Sequence, residues 1–215
     1  MASFAPPFLS KQLKKHLTPA LLVYSKKEAQ EKITFIKEYF PESHLHIDVM
    51  DKKFVPAGCW CSPRDIGRLA LTNSFEAHLM TYHPERRIAA WKRAGATRIV
   101  FHYEDTPHPE AVIRAVRAAH LEVCIAINPD TPVSALRLLG READAILIMG
   151  VHPGYAGQKF IKKTLKKIES AKEFFGTRRL IIVDGGVTKE NAPLLIQAGA
   201  RQLISTSAVF QRSSV

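Results

Sequence analysis

The stretch His46-Ile47-Asp48-Val49-Met50 alternates in kind. Successive side chains of an extended strand point to opposite faces, so His46, Asp48 and Met50 share one side and Ile47 and Val49 the other. An imidazole and a carboxylate two residues apart on one face can grip a divalent cation. Imidazole suits zinc, iron or cobalt, and carboxylate also suits manganese. A carboxylate beside such an ion can also move protons. In isolation an H-x-D more often marks a strand end with a satisfied His and a solvated Asp. Here His78 and Asp184 stand at or near the ends of apolar runs of their own. Two imidazoles and two carboxylates from three strand ends make one cation site if the fold brings those ends together. The turns Gly154-Tyr155-Ala156-Gly157 and Gly185-Gly186 offer a second chemistry. Gly-rich turns expose backbone N–H groups that bind anions; plain turn geometry is the simpler alternative.

Apolar runs and helical patterns alternate along the chain. Strands are expected at 20–24, 45–50, 76–80, 98–102, 122–127, 145–149, 180–183 and 202–205. Helical spacing is expected over 26–40, after Ser62-Pro63, from Pro84, over 109–120, from Thr131-Pro132, over 160–175 and over 189–198. Eight strands alternating with helices predict an α/β fold, a closed parallel (β/α)8 TIM barrel, with a doubly wound open sheet as the alternative. An internal echo favours the barrel. Ala94-Gly95-Ala96-Thr97-Arg98-Ile99-Val100 resembles Ala198-Gly199-Ala200-Arg201-Gln202-Leu203-Ile204 four units later. In each, the Gly ends a helix in the left-handed region and the chain enters a strand. Residues 18–215 form one domain on this reading, and residues 1–17 an N-terminal extension with a short amphipathic helix at 10–17. The eighth helix is truncated or missing, and the extension is expected to cover the gap.

In such barrels functional residues sit at the C-terminal strand ends. Those ends carry His46 and Asp48; His78 and Met80; His102; Met149 with the loop from His152 to Gln158; Asp184, Gly185 and Gly186; and Thr206 and Ser207.

The totals narrow the alternatives. A chain of 215 residues, 46% hydrophobic and 24% charged, has the composition of a soluble globular domain with a sizeable core. Three cysteines build no disulfide framework and point to a reducing cytoplasm. Cys59-Trp60-Cys61, with no second pair, is a poor zinc site. The net charge of +11 admits two readings: nucleic-acid binding, or a field that attracts anionic metabolites. Lys162, Lys163, Lys166, Lys167 and Lys172 follow a helix with no aromatic interleaving, as a solvated face does. No apolar run is long enough to span a bilayer. The first 27 residues lack Asp and Glu, faintly like a transit peptide, yet they also lack Arg.

Several segments, in order and compatibly spaced from about Thr18 to Phe210, resemble the ribulose-phosphate 3-epimerase family. They are HIDVMDKKFVP from His46, AHLM from Ala77 with Pro84-Glu85, Phe101-His102, VHPGYAGQKF from Val151, VDGG from Val183 and SAVF from Ser207. The resemblance implies that His46, Asp48, His78 and Asp184 hold one divalent metal ion (Zn, Fe, Mn or Co). It implies that Asp48 and Asp184 are the acid/base pair inverting C3 of a ketose phosphate through an enediolate. Met50, Met80 and Met149 match a methionine cap beside the substrate, with core filling as the alternative. His78, Gly154, Tyr155, Ala156, Gly157, Gly185, Gly186, Thr206 and Ser207 complete the implied substrate site. The expected partner is a small-molecule sugar phosphate, with homo-oligomeric assembly and neither nucleic acid nor membrane. Departures bear on the substrate. The first strand has Pro19-Ala20 where the family usually has Pro-Ser, and the phosphate loop has Tyr155-Ala156 where Phe-Gly is usual. Ala156 and the Thr206-Ser207 pair also resemble allulose-6-phosphate 3-epimerase, which takes a six-carbon substrate. A non-catalytic phosphosugar-binding relative is the remaining alternative.

Overall fold

Eight parallel strands run in chain order around a closed ring, and the last pairs with the first. They are β1 (Leu17–Leu21), β2 (Leu45–Met50), β3 (Phe75–Met80), β4 (Ala96–His102), β5 (Glu122–Ile127), β6 (Ala145–Met149), β7 (Leu180–Asp184) and β8 (Gln202–Ser205). This computed structural model describes Phe4, residues 10–69 and residues 71–211. The helices are α1 (Lys11–Lys14), α2 (Lys26–Tyr39), α3 (Pro63–Arg68), α4 (Ile88–Ala94), α5 (Pro109–Ala118), α6 (Thr164–Phe175) and α7 (Ala192–Ala198). The parallel barrel expected from the alternation is the observed fold.

Local chemistry sets the joints. The Ser62 hydroxyl accepts the Asp65 N–H at 3.1 Å, with Pro63 in the first turn of α3. Gly95, at φ 102°, ends α4 in the left-handed region, as the echo predicted. Several boundaries differ from expectation, three of them as follows. The first strand starts at Leu17, three residues early, because the residue before a proline is pushed to extended backbone and Thr18 precedes Pro19. For the same reason the N-terminal helix stops at Lys14. The helix expected from Thr131-Pro132 is two 3-10 turns, Val133–Leu136 and Leu139–Arg141. Gly140 sits against the Phe175 ring where no Cβ would fit.

The extension is described only at Phe4 and from Ser10 onward. Phe4 packs on Phe35 of α2 and Phe210, with ring centroids 5.5 and 5.3 Å apart. The chain after Gln211, where a last helix was expected to be cut short, lies outside the described residues.

Side-chain alternation divides the core in two. Outward positions such as Ile47, Val49, Leu79, Ile99, Phe101, Ile125 and Ile148 join the apolar faces of the helices, Ile33, Ile36, Trp91, Val112 and Ile168 among them. Each such fully buried side chain contributes roughly 1.5–3 kcal/mol. The barrel interior is filled by Ala20, Val100, Cys124, Ala126, Ala145, Leu147, Met149, Ile182 and Ile204. β2, β3 and β4 also carry polar inward residues, His46, Asp48, Glu76, His78 and His102, and these build the site. Among the described residues no helix is long and apolar enough to cross a membrane.

Candidate active site

Strand register brings the chemistry together. In the pairing of β2 with β3, His46 lies beside Glu76, Asp48 beside His78 and Met50 beside Met80. Across the barrel, β6 sets Met149 beside Asp184. His46 Nε2 is 3.0 Å from His78 Nδ1 and 3.4 Å from Asp48 Oδ1. His78 Nδ1 is 3.2 Å from Asp48 Oδ1, and Asp184 Oδ2 is 3.6 Å from both imidazole nitrogens. All four ligand atoms lie within 4.8 Å of one another.

These spacings suit a shared cation. Two donors each about 2.1 Å from one ion sit about 3.0 to 3.4 Å apart, in cis octahedral or tetrahedral arrangement. Two imidazoles and two carboxylates form a donor set suited to zinc, iron, cobalt or manganese. Electrostatics agree. Hydrogen bonds to Asp48 and Glu76 outweigh burial and hold the His46 proton well above the usual imidazole range. The carboxylates thus favour positive charge at this point, which a proton or a divalent ion can supply.

Burial alone would raise Asp48, but hydrogen bonds from His46 and His78 outweigh it and keep the carboxyl well below the usual range. Asp184 goes the other way. Burial, reinforced by the charges of Asp48 and Glu76, pushes it up to about 7.

A carboxylate that sequence reasoning did not single out stands behind His46. Glu76 is fully buried, and its Oε1 is 2.6 Å from His46 Nδ1. Its Oε2 accepts from Arg98 Nη1 at 2.8 Å, and Arg98 also pairs with Glu122 at 2.8 Å. With the proton on Nδ1, His46 turns the Nε2 lone pair to the cluster. The signal was available: period-two alternation puts Glu76 on the face of His78 and Met80, and a glutamate there must be partnered.

Above the cluster opens a pocket lined by Asp48, Met50, Met80, Met149, Asp184, Gly185, Gly186, Thr206 and Ser207, with the whole loop from Val151 to Gln158. It gathers every expected substrate residue except His78. His78 and His46 are fully buried beneath it. Met50 and Met80 pack with Leu22 and Val55 at the mouth, and Met149 belongs to the inner core. The methionines therefore fill core and border the pocket at once. Gln158 Nε2 donates to the carbonyls of His152 and Tyr155, at 2.7 and 2.9 Å, which fixes the loop. Gly185 and Gly186 have φ of 93° and 67°. A Cβ on Gly186 would lie 2.7 Å from Phe160 Cα, so the turn requires glycine. Asn191 Nδ2 holds the Gly186 carbonyl at 2.8 Å. Ala20 is buried on β1, and the Thr206 hydroxyl lies 3.5 Å from its carbonyl.

Known proteins agree with this architecture. A mutant tryptophan synthase alpha-subunit from Pyrococcus furiosus superposes with a TM-score of 0.67 at 17% identity, over 97% of this chain and 89% of that one. QR15, an aldolase, gives 0.67 at 14% identity over 94% and 95%. Similarity at that level concerns the fold alone. Sequence relatives are more specific. A ribulose-phosphate 3-epimerase of Bacillus subtilis (strain 168) is 38% identical over 175 residues, spanning 79% of this chain and 80% of the relative. A chloroplastic ribulose-5-phosphate-3-epimerase of Arabidopsis thaliana is 36% identical over 173 residues, 77% of this chain and 61% of the relative. The family model for ribulose-phosphate 3 epimerases matches residues 16–210. With that match running from the first strand through the last, the chain belongs to the ribulose-phosphate 3-epimerase family.

Proposed function

We propose that the chain interconverts D-ribulose 5-phosphate and D-xylulose 5-phosphate by inverting C3, with Asp48 and Asp184 as the two acid/base residues. The supporting observation is that these carboxylates border one pocket together with the Gly-rich turns, above two buried imidazoles. Inversion at one carbon needs a group on each face of the substrate. One carboxylate takes the C3 proton, the electron pair moves toward the C2 carbonyl to give an enediolate, and the other carboxylate returns a proton to the opposite face. In the reverse direction the two exchange roles. His46, Asp48, His78 and Asp184 would hold a divalent ion, which when bound supplies positive charge against the developing enediolate. Met50, Met80 and Met149 pack beside the reacting carbons and limit access of water to them. Backbone at Gly154–Gly157, Gly185, Gly186 and Ser207 receives the phosphate, where loops after late strands of such barrels commonly bind it.

A six-carbon ketose phosphate is the second reading. It draws on Ala20, which brings no hydroxyl to the mouth, and on Ala156 in the phosphate loop. A panel of five- and six-carbon ketose phosphates in D2O, with zinc, iron, manganese or cobalt added back, separates the two. The expected result is xylulose 5-phosphate from ribulose 5-phosphate, carrying solvent deuterium at C3. Faster turnover of a six-carbon substrate selects the second reading. Protein carrying stoichiometric metal that exchanges no C3 proton with any member of the panel overturns both.

A further inference from the structure

We infer that His102 and Glu104 are positioning residues that fix His78 in its ligand tautomer. The inference deepens the metal-site reading and rests on it. His102 ends β4, and Glu104 lies in the single 3-10 turn that follows, Tyr103–Asp105. The His102 and His78 rings lie nearly parallel and edge to edge, with centroids 5.0 Å apart, planes at 16° and the two Nε2 atoms 2.9 Å apart. Both rings are fully buried, with Phe54 5.0 Å from His102.

Proton positions follow from the geometry. His78 faces the cluster with Nδ1. A ring whose Nδ1 lone pair serves a cation carries its proton on Nε2. That N–H points at His102 Nε2, which must then accept, so His102 carries its own proton on Nδ1. His102 Nδ1 faces Glu104 Oε2 at 3.5 Å. Neither atom has a hydrogen-bond partner within ordinary limits among the described residues, and both are buried, so each is the group available to satisfy the other. The other Glu104 oxygen is anchored: Oε1 accepts the Asn128 N–H at 2.9 Å and the Thr131 hydroxyl. The run His78–His102–Glu104 therefore does through two rings what Glu76 does directly for His46. Each imidazole of the cluster has a carboxylate behind it. Removing such a backing group typically weakens metal binding by about 10- to 100-fold.

Glu104→Gln is the informative variant. Its amide oxygen keeps the Asn128 and Thr131 contacts, which turns the NH2 toward His102 Nδ1. Two donors then face each other unless His102 moves its proton to Nε2, and there it confronts the His78 Nε2 proton. Either arrangement disfavours the ligand tautomer. His102→Phe removes the acceptor altogether, and His102→Gln restores one as an amide oxygen.

The test is cobalt(II) affinity by chelator competition, read with the cobalt absorption spectrum and with histidine 15N shifts that report the tautomer. Wild type should bind one equivalent. His102→Phe and Glu104→Gln should bind about 10-fold or more weakly, with mixed His78 tautomers, and His102→Gln should recover most of the loss. If His102→Phe does not fold, Glu104→Gln decides. Wild-type affinity, spectrum and tautomer in folded Glu104→Gln overturn the inference and leave the metal site standing. Failure of the wild type to bind cobalt, zinc, iron or manganese overturns the metal site itself, and the inference with it.

Discussion

Replacing Glu76 by Gln removes one charge from a fully enclosed position and little volume. The wild-type carboxylate bridges His46 and Arg98 at 2.6 and 2.8 Å. An amide satisfies only one of these two donors and turns its NH2 against the other. Burial opposes the charge of Glu76, but His46, by hydrogen bond and by charge, and then Arg98 outweigh it and lower the carboxyl from 4.5 to about 2. At about 1.4 kcal/mol per pH unit, that difference corresponds to about 3 kcal/mol of stability. Breaking a buried ion pair by removing one partner costs a similar 3 to 5 kcal/mol or so. The sign is set by the lowered value: the contribution is complete above the unfolded-chain value near 4.5 and is lost as pH falls toward 2. Urea melts in excess chelator, so that ion binding adds nothing, should show Glu76→Gln about 3 kcal/mol less stable at pH 7. The gap should shrink by roughly 2 kcal/mol between pH 5 and pH 3. Metal affinity should fall by about 10- to 100-fold in parallel. Equal stability at pH 7, or a gap that does not narrow on acidification, would show that Glu76 is not held as a charged bridge.

Asp48→Asn and Asp184→Asn should each lower turnover by about 100-fold or more from either epimer, with bound metal quantified alongside; a variant that keeps its rate and its C3 deuterium exchange removes that residue from the chemistry. Gly186→Ala places a methyl 2.7 Å from Phe160 Cα at a φ of 67°. It should cost about 2 kcal/mol in thermal melts and raise KM by about 10-fold or more, and an unchanged KM would move the phosphate elsewhere. Burial pushes Asp105 up to about 8 from 3.8. The folded chain therefore keeps a proton that the unfolded chain releases, and this group makes stability fall as pH rises from about 4 to 8, by up to roughly 6 kcal/mol. Asp105→Asn should flatten that decline in melts across the same range, and an unaltered slope would show that Asp105 is ionised throughout.

What was legible in the sequence was whatever depends on one strand at a time. Alternation gave β2 and β5 their observed limits, and barrel topology then required His46, Asp48, His78 and Asp184 to meet at one rim. Local capping chemistry located α3 through Ser62 and Pro63. What escaped depends on how neighbours are set against each other. The close approach of Gly140 to the Phe175 ring on α6 joins residues remote in sequence. Glu76 went unnamed and His102 was named only as a strand-end residue, because their specific partners depend on register. A two-residue slip between β2 and β3 preserves every inward and outward position, so no single-strand pattern forbids it. Yet it would set His46 beside His78 and Asp48 beside Met80, and Glu76 would lose its imidazole. The observed register, with His46 on Glu76 and Asp48 on His78, instead partners the buried carboxylate and gathers the four ligand atoms. Glu76 would keep Arg98 but leave its other buried oxygen without a donor, a cost of about 1 to 3 kcal/mol or more, so the same residue that orients His46 also penalises the slipped pairing that would disperse the site.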